Sequence, residues 1–221
     1  MDTIIYYLKT LYASYSPEGL EHLIASGGIL VLIAIIFSET GLLVGVVLPG
    51  DSLLVTAGVL AARGPEGIPL FNIWEVNIVL ILAAFIGDQL NYFLGRRTGH
   101  AIFTREDSLI FKKRYAHEAH EFYLQHGGKA IVLARFIPIL RTFVPFIAGV
   151  AEMPYSRYFP FSILASFTWI TSLVWLGYLV GQTPFGRKLH YVILLVIFVS
   201  FLPLIFGLVK RYLAGQQKSQ T

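Results

Sequence analysis

The stretch "SETGLLVGVVLPGDSLLVTAGVL", Ser38–Leu60, combines a membrane-like composition with features that a simple membrane span does not need. Almost all of it is apolar, yet Glu39 stands near its start and a Pro-Gly-Asp turn, Pro49–Asp51, interrupts its middle. Proline and glycine end helices, and a charge at the bilayer centre costs about 2.5–3.5 kcal/mol on insertion scales. We therefore interpret residues 38–62 as a helical hairpin that enters an apolar environment and turns back.

The composition of the whole chain places this hairpin in a membrane. The 221 residues are 56% hydrophobic and only 14% charged, with a mean hydropathy of +0.68, whereas a soluble domain is about half apolar and about a quarter charged. We expect one integral membrane domain over residues 1–221. The chain has no cysteine, which excludes disulfide and thiolate chemistry. The net charge is +4. In a membrane protein, lysine and arginine usually mark the cytoplasmic loops, so this charge does not indicate a nucleic-acid partner and we predict none.

We predict three apolar runs to be full spans, which take about 20 residues each. They cover residues 72–94, 158–181 and 189–209. Between the first two runs lies a polar region, residues 96–128, which is rich in lysine and arginine and carries the pattern of an amphipathic helix. The positive-inside rule places this region and the basic C-terminal tail on the cytoplasmic side. The side of the N-terminus stays open.

A second interrupted segment, residues 129–152, is apolar but contains Arg135, Pro138, Arg141 and Pro145. Because its neighbours fix both of its ends on the cytoplasmic side, we predict a re-entrant hairpin rather than a span. The first hairpin enters from the opposite face, and interrupted segments in corresponding positions indicate the binding site of a transporter. The predicted fold is an all-α polytopic membrane protein, with two opposed re-entrant helical hairpins in an inverted repeat plus transmembrane helices.

Charged residues of opposite sign stand in the two hairpins. Arginine binds phosphate bidentately and stays charged, so we predict substrate binding by Arg135 and Arg141. The protonation of a buried carboxylate depends on its neighbouring charges, and this predicts proton coupling at Glu39, Asp51 and Asp88. The residues predicted to shape the turns are Pro49, Gly50, Pro138, Pro145 and Gly149.

Structural interpretations of the same residues stay open. Asp51 follows a Pro-Gly turn, where a carboxylate often caps a helix N-terminus. Arg135 and Arg141 could neutralise the acids in buried ion pairs, which specify a structure more than they stabilise it. Asp88 shares a helix face with Asn91, so it could be a satisfied polar contact between helices as well as a proton site.

The sequence contains no pattern that indicates a metal, a cofactor or a catalytic step. His117 and His120 belong to the pattern H-E-x-H-E, which lacks the spacing of the zinc motif H-E-x-x-H. An enzyme acting on a lipid needs a metal or a nucleophile beside a base. Neither hairpin contains histidine or cysteine. We therefore predict no metal site, no cofactor and no enzymatic activity.

Four stretches carry a resemblance to a known family: "FSETGLLVGVVLPGDSLLVTAGVLA", "GDQLNYFLGRRTG", "HGGKAIVLARFIPILRTFVPFIAGVAEM" and "WITSLVWLGYLVG". In these the chain resembles the DedA family, whose domain is also called the SNARE-associated or VTT domain. The resemblance implies a multi-pass protein of the bacterial inner membrane with two opposed re-entrant loops. It also places the functional acids and arginines of the family on Glu39, Asp51, Arg135 and Arg141.

The same resemblance implies lipid translocation. Bacterial members are tied to the recycling of undecaprenyl phosphate and eukaryotic relatives to phospholipid scrambling, and some members behave as if coupled to the proton motive force. We therefore expect a flippase for a lipid phosphate, with the membrane lipid and protons or Na⁺ as partners. An exporter of small cations coupled to protons or sodium, and a phospholipid scramblase without ion coupling, remain alternatives. The lipid, the direction of transport and a homo-oligomeric state stay open.

Overall fold

The computed structural model describes residues 17–42, 50–63, 68–104 and 128–183. This part of the chain is helical and contains no strand, which confirms the all-α prediction for it. The helices are α1 (Pro17–Gly41), α2 (Gly50–Ala62), α3 (Ile73–Thr104), α4 (Lys129–Ala134), α5 (Pro138–Val150) and α6 (Tyr155–Gly181). Three predicted features lie outside these residues: Pro49, most of the amphipathic region 96–128 and the span 189–209.

Two of the helices are long and apolar enough to cross a membrane. These segments, Ile73–Gly99 of α3 and Tyr155–Gly181 of α6, have 27 residues each and mean hydropathies of 1.6 and 1.7. They match the predicted spans 72–94 and 158–181. One face of α3 exposes large apolar side chains at every fourth position, as a surface in contact with lipid requires. These side chains are Ile78, Leu82, Ile86 and Leu90.

Helix α1 is divided by a glycine. Gly28 has φ 62° and ψ −158°, a backbone conformation that glycine adopts far more readily than other residues. The part that follows, Gly27–Gly41, is apolar but shorter than a span. Its last residue packs against α3, where a Cβ added to Gly41 would lie 3.2 Å from the Cα of Gly87. Glu39 and Thr40 are therefore buried where the two backbones approach each other.

Helices α2 and α5 have 13 residues each, well under the length of a span. The chain turns before α5, at residues 135–137, and α5 begins at Pro138, a favoured position for proline. The structure differs from the sequence prediction at Pro145, which lies inside α5 and not at a turn. Apolar helices tolerate an internal proline where neighbouring groups compensate for the lost hydrogen bond. Gly149 also lies within α5 rather than at a turn, and it serves close packing.

Helix α2 packs most extensively against α6. A Cβ added to Gly58 would overlap the backbone carbonyl of Val174 and crowd the amide of Tyr178. Reciprocally, a Cβ added to Gly177 would overlap the carbonyl of Val55. The carbonyl that faces each glycine thus belongs to the residue three positions before the glycine of the partner helix. The two backbones touch because neither glycine carries a side chain.

Helices α5 and α3 repeat this arrangement. A Cβ added to Gly149 would overlap the carbonyl of Tyr92 and crowd the amide of Arg96, and one added to Gly95 would overlap the carbonyl of Phe146. Here too, each carbonyl belongs to the residue three positions before the partner glycine. We call α2 and α5 the half-length helices, because each has 13 residues against the 27 of each long apolar segment. Each half-length helix packs on the long helix of the other half of the chain through the same set of contacts.

Candidate functional site

Arg141, in the first turn of α5, connects three helices. Its Nη1 donates a hydrogen bond to Oδ1 of Asp51 in α2, and its Nη2 donates to Oε1 of Glu39 in α1. Both contacts are ion pairs. Arg141 is 6% exposed and Glu39 is fully buried, so these charges lie in a region where an unpaired charge would be strongly disfavoured. The fork of the guanidinium group suits two separate carboxylates.

Arg135 occupies the turn between α4 and α5 and forms a second ion pair. Its Nη1 lies 2.5 Å from Oδ1 of Asp88 in α3, and both side chains are buried. The other carboxylate oxygen, Oδ2, accepts hydrogen bonds from the hydroxyl groups of Ser166 at 3.0 Å and Ser162 at 3.4 Å, both in α6. Asp88 therefore joins α3, α6 and the turn before α5.

Trp169 of α6 joins the two ion pairs into one cluster. The guanidinium carbons of Arg135 and Arg141 lie over its ring, 4.7 and 4.8 Å from the ring centroid. Its indole Nε1 donates a 2.9 Å hydrogen bond to Oδ1 of Asp51, and the residue is 1% exposed. We call Glu39, Asp51, Asp88, Arg135, Arg141 and Trp169 the charged cluster.

Small and polar residues allow the helices to approach around the charged cluster. Gly50 is needed beside Glu39, because an added Cβ would overlap the carboxylate group. Asn91 of α3 donates from Nδ2 to the carbonyls of Thr40 at 2.9 Å and Thr142 at 2.7 Å. These two threonines neighbour Glu39 and Arg141 in sequence, so Asn91 fixes α1 and α5 relative to α3 at the level of the cluster.

Several polar atoms of the charged cluster are buried and have no hydrogen-bond partner within the described part of the chain. They are Nε and Nη2 of Arg135, Nε of Arg141 and Oε2 of Glu39. A buried donor left without an acceptor costs about 1–3 kcal/mol. Three of these atoms are N–H donors on positively charged groups, which is the recognition pattern of an anionic, oxygen-rich ligand.

The two half-length helices contribute their first turns to the charged cluster. Asp51 is the second residue of α2, and Arg141 is the fourth residue of α5. The N-terminus of a helix carries partial positive charge and exposes unpaired N–H groups. In broken-helix transporters, such N-termini face the anionic group of the substrate. The helix N-termini and the arginines therefore both provide positive charge that attracts an anion.

The structure brings together all five charged residues that the sequence predicts as site residues. Among the residues it describes, there is no group of three or more His, Cys, Asp or Glu that could hold a metal ion. His117 and His120 lie outside those residues. Pro138 is the first residue of α5, the helix that carries Arg141, whereas Pro145 lies inside α5 and Gly149 serves its packing.

Comparison with known proteins agrees with the resemblance read from the sequence. The model of the VTT domain matches residues 48–179, more than half of the chain. The match includes the whole charged cluster except Glu39, which precedes it. The chain belongs to the DedA family of membrane proteins. No solved structure matches it.

Individual relatives in this family cover most of the chain. The protein DedA of Escherichia coli strain K12 is 37% identical over 98% of this chain and 99% of its own length. An uncharacterized membrane protein of Mycobacterium leprae is 42% identical over 85% of this chain and 81% of its own. The inner membrane protein YqjA of E. coli is 36% identical over 72% of this chain and 70% of its own. The DedA-family chain is thus a membrane protein.

Sequence reasoning did not assign a site role to several residues of this DedA-family structure. Ser162, Ser166 and Trp169 recur at positions i, i+4 and i+7 of the otherwise apolar helix α6. That spacing places them on one helix face. It is the sequence signal that could have predicted a polar face of α6 at the site. Asn91 was recognised only as a neighbour of Asp88. Its bonds to the carbonyls of Thr40 and Thr142 depend on a tertiary contact that the sequence does not show.

Proposed function

We propose that this DedA-family protein is a multi-pass transporter that moves a lipid phosphate across the bacterial inner membrane. The observation that carries the proposal is the pair of buried guanidinium groups of Arg135 and Arg141, which lie over one aromatic ring and have N–H donors without partners among the described residues. A headgroup phosphate fits such donors, while its hydrocarbon tail stays in lipid. Undecaprenyl phosphate and phospholipids both have this chemistry.

Under this proposal, α2 and α5 are arms of two re-entrant hairpins that form an inverted repeat. Three observations support it: both helices are about half a span long, both pack on a long helix through the same contacts, and both bring their first turns to the charged cluster. Non-helical backbone at membrane depth is tolerated when it is buried in protein or lines a cavity. The breaks before α2 and α5 would then lie at the substrate site.

The balance of charge supports proton coupling within this proposal. The cluster holds three carboxylates, Glu39, Asp51 and Asp88, against two guanidinium groups. A phosphate that binds to the arginines takes over hydrogen bonds that the carboxylates now accept. A carboxylate released in this way is left to bind a proton or Na⁺. Phosphate binding then raises the proton affinity of that carboxylate by some factor. By linkage, a proton on the carboxylate raises the affinity for phosphate by the same factor.

One observation favours a second candidate function. The three carboxyl groups of the cluster outnumber the two arginines, and Oε2 of Glu39 has no partner in the part of the chain that the structure describes. An exporter of small cations coupled to protons or sodium would use this excess of negative charge. That function leaves the unpaired donors of Arg135 without a role. A phospholipid scramblase would use the same arginines without the coupling. We propose transport rather than catalysis in each case.

Purified protein in liposomes tests the proposal directly. We would compare the flipping of undecaprenyl phosphate and phosphatidylethanolamine with and without a pH gradient. Arg135→Ala and Arg141→Ala should each abolish flipping while the protein stays in the membrane. Arg157→Ala is the matched control, because Arg157 is exposed and lies on the same helix as Trp169. Normal flipping by the Arg135→Ala/Arg141→Ala protein would reject the phosphate site.

A further inference from the structure

Trp169 contacts two groups of like charge. The guanidinium carbons of Arg135 and Arg141 lie 4.7 and 4.8 Å from the centroid of its ring, and the ring is buried. Two buried cations near each other repel, and the negative face of an aromatic ring offsets part of that repulsion. Such a contact is stronger when it is desolvated, as it is here. The ring therefore stabilises both arginines at one place.

A ring differs from a carboxylate in how it attracts a guanidinium group. The ring of Trp169 attracts the two positive charges through its π electrons and, because indole is only a hydrogen-bond donor, it offers no acceptor to their N–H groups. Contact with the ring therefore consumes none of the N–H donors of Arg135 and Arg141. The ring also carries no net charge, so it does not compete with an arriving anion. Asp51 and Asp88 do compete, because they accept hydrogen bonds from these N–H groups.

The orientation of the ring is fixed from its polar side. Nε1 of Trp169 donates to Oδ1 of Asp51, the same oxygen that accepts from Nη1 of Arg141. Three residues earlier on α6, Ser166 binds the carboxylate of Asp88, the partner of Arg135. The face of α6 that carries Trp169 thus contacts the acidic partners of both arginines, and the ring contacts one arginine of each ion-paired group.

We propose that Trp169 is a positioning residue that holds Arg135 and Arg141 beside each other, so that their N–H groups receive one phosphate group. The ring keeps both guanidinium groups in place while their donors pass from the carboxylates to the phosphate. This inference rests on the proposed lipid-phosphate function and adds a residue to it. It differs from a packing role because it requires the ring environment to change when phosphate binds.

Fluorescence of Trp169 tests this requirement. The chain has three tryptophans, and the other two, Trp74 and Trp175, contact each other with ring centroids 5.1 Å apart. The variant Trp74→Phe/Trp175→Phe leaves Trp169 as the only tryptophan. Dodecyl phosphate in detergent micelles should change its emission saturably, and dodecanol should not. If the double variant does not fold, the difference between the wild-type spectrum and that of Trp169→Phe gives the same information.

Two outcomes of the titration separate the inference from the proposed function. Calorimetry that shows binding of dodecyl phosphate, dependent on Arg135 and Arg141, without any change in Trp169 emission would overturn the positioning role and leave the phosphate site intact. No binding of dodecyl phosphate would overturn both. A saturable change that disappears in the Arg135→Ala protein supports both.

Affinity for dodecyl phosphate provides a second measurement. Trp169→Leu removes both ring contacts and should weaken binding at least about tenfold, since two cation–π contacts of even the weaker, solvent-exposed strength correspond to that factor. Trp169→Phe keeps a ring and should recover most of that loss. Trp175→Leu is the matched control on the same helix and should bind as wild type does. Wild-type affinity in folded Trp169→Leu protein would overturn the inference, and if that variant does not fold, the fluorescence titration decides.

Discussion

Arg135 and Asp88 form an ion pair with 2.5 Å between Nη1 and Oδ1, although 47 positions separate them in the sequence. Both side chains are 2% exposed. Taking two charges out of water has a cost that their attraction does not always repay, so a buried pair is weak evidence for stability by itself. Removing one partner is another matter, because the remaining charge stays buried without compensation. The pair therefore makes a sharp prediction about Asp88.

Asp88→Asn should destabilise the protein by about 3–5 kcal/mol, the usual effect of breaking a buried pair from one side. Asparagine keeps the shape and loses the charge that compensates Arg135. The free energy of unfolding in mixed micelles measures the effect. Ser166→Ala is the graded comparison, since it removes one hydrogen bond to Asp88 and should cost only about 1 kcal/mol.

A double variant shows whether the charge itself is responsible. Asp88→Asn/Arg135→Gln leaves no unpaired charge at this place and should regain most of the stability lost in Asp88→Asn. If the single variant is as stable as wild type, or if the two substitutions act additively, the pair does not compensate buried charge in the way that its geometry indicates.

Arg141→Lys should fail to replace arginine at the other ion pair. Nη1 and Nη2 of Arg141 bind Asp51 and Glu39 separately, and the single ammonium group of lysine does not reproduce that fork. We expect flipping in liposomes to fall at least about tenfold, the change that corresponds to the loss of one charged hydrogen bond. Arg157→Lys is the control. Flipping by Arg141→Lys at the wild-type rate would show that only the charge is needed.

The repeated packing of the half-length helices predicts equal effects at two glycines. Gly58→Ala and Gly149→Ala each place a Cβ against a backbone carbonyl, of Val174 and Tyr92 respectively. Overpacking of this kind costs about 1–3 kcal/mol. Gly41→Ala should cost less, because its nearest neighbour, the Cα of Gly87, lies 3.2 Å away. Thermal unfolding of the three variants in detergent ranks them, and a loss at only one of the first two would argue against equivalent packing.

The elements that the sequence predicted correctly are those with a long or interrupted apolar pattern. The spans in α3 and α6 stand out by hydropathy over 27 residues each. The break before α5 follows from Pro138, because proline fits the first turn of a helix. Pro145 misled the prediction, since an internal proline ends a helix only when neighbouring groups cannot compensate for its missing donor.

The sequence predicted the charged residues of the candidate site but not the contacts between them. Charged residues in apolar segments are costly, which singled out Glu39, Asp51, Asp88, Arg135 and Arg141. Which acid pairs with which arginine depends on tertiary packing. The approach of Arg135 to Asp88 rather than to the acids of the first hairpin had no sequence signal. The sequence does not distinguish Trp169 from other aromatic residues of a span, whereas the structure places its ring beside both arginines.

Labelling of single cysteines tests the predicted opposite orientation of the two hairpins. The native chain contains no cysteine, so each introduced thiol is the only one. Ile68, after α2, and Lys129, at the start of α4, are both exposed. Ile68→Cys should react with an impermeant maleimide from the outside of intact cells, and Lys129→Cys only after the cytoplasmic side is opened. Reaction of both from one side would remove the inverted repeat.

Glu39→Gln addresses the coupling of transport to protons. Glutamine keeps the shape and the acceptor oxygen that faces Arg141, but it cannot exchange a proton. The substitution also lowers the number of carboxylates in the cluster from three to two, equal to the number of guanidinium groups. Because it imitates the protonated state, the variant should bind dodecyl phosphate at least as well as wild type, and linkage requires that this affinity no longer depends on a proton at position 39.

Transport should then fail although binding persists, because a carrier that cannot release its proton does not complete the cycle. We would measure flipping and affinity over about pH 5–9, a range that reaches the raised values documented for buried glutamate. Wild-type flipping should vary with pH, and the affinity of the Gln variant should lose the part of its pH dependence that comes from position 39, with little turnover. Asp51→Asn separates coupling from helix capping, since a capping role predicts lower stability with an unchanged pH profile. If Glu39→Gln flips lipid like wild type with the same pH dependence, Glu39 stabilises the fold through Arg141 and takes no part in coupling.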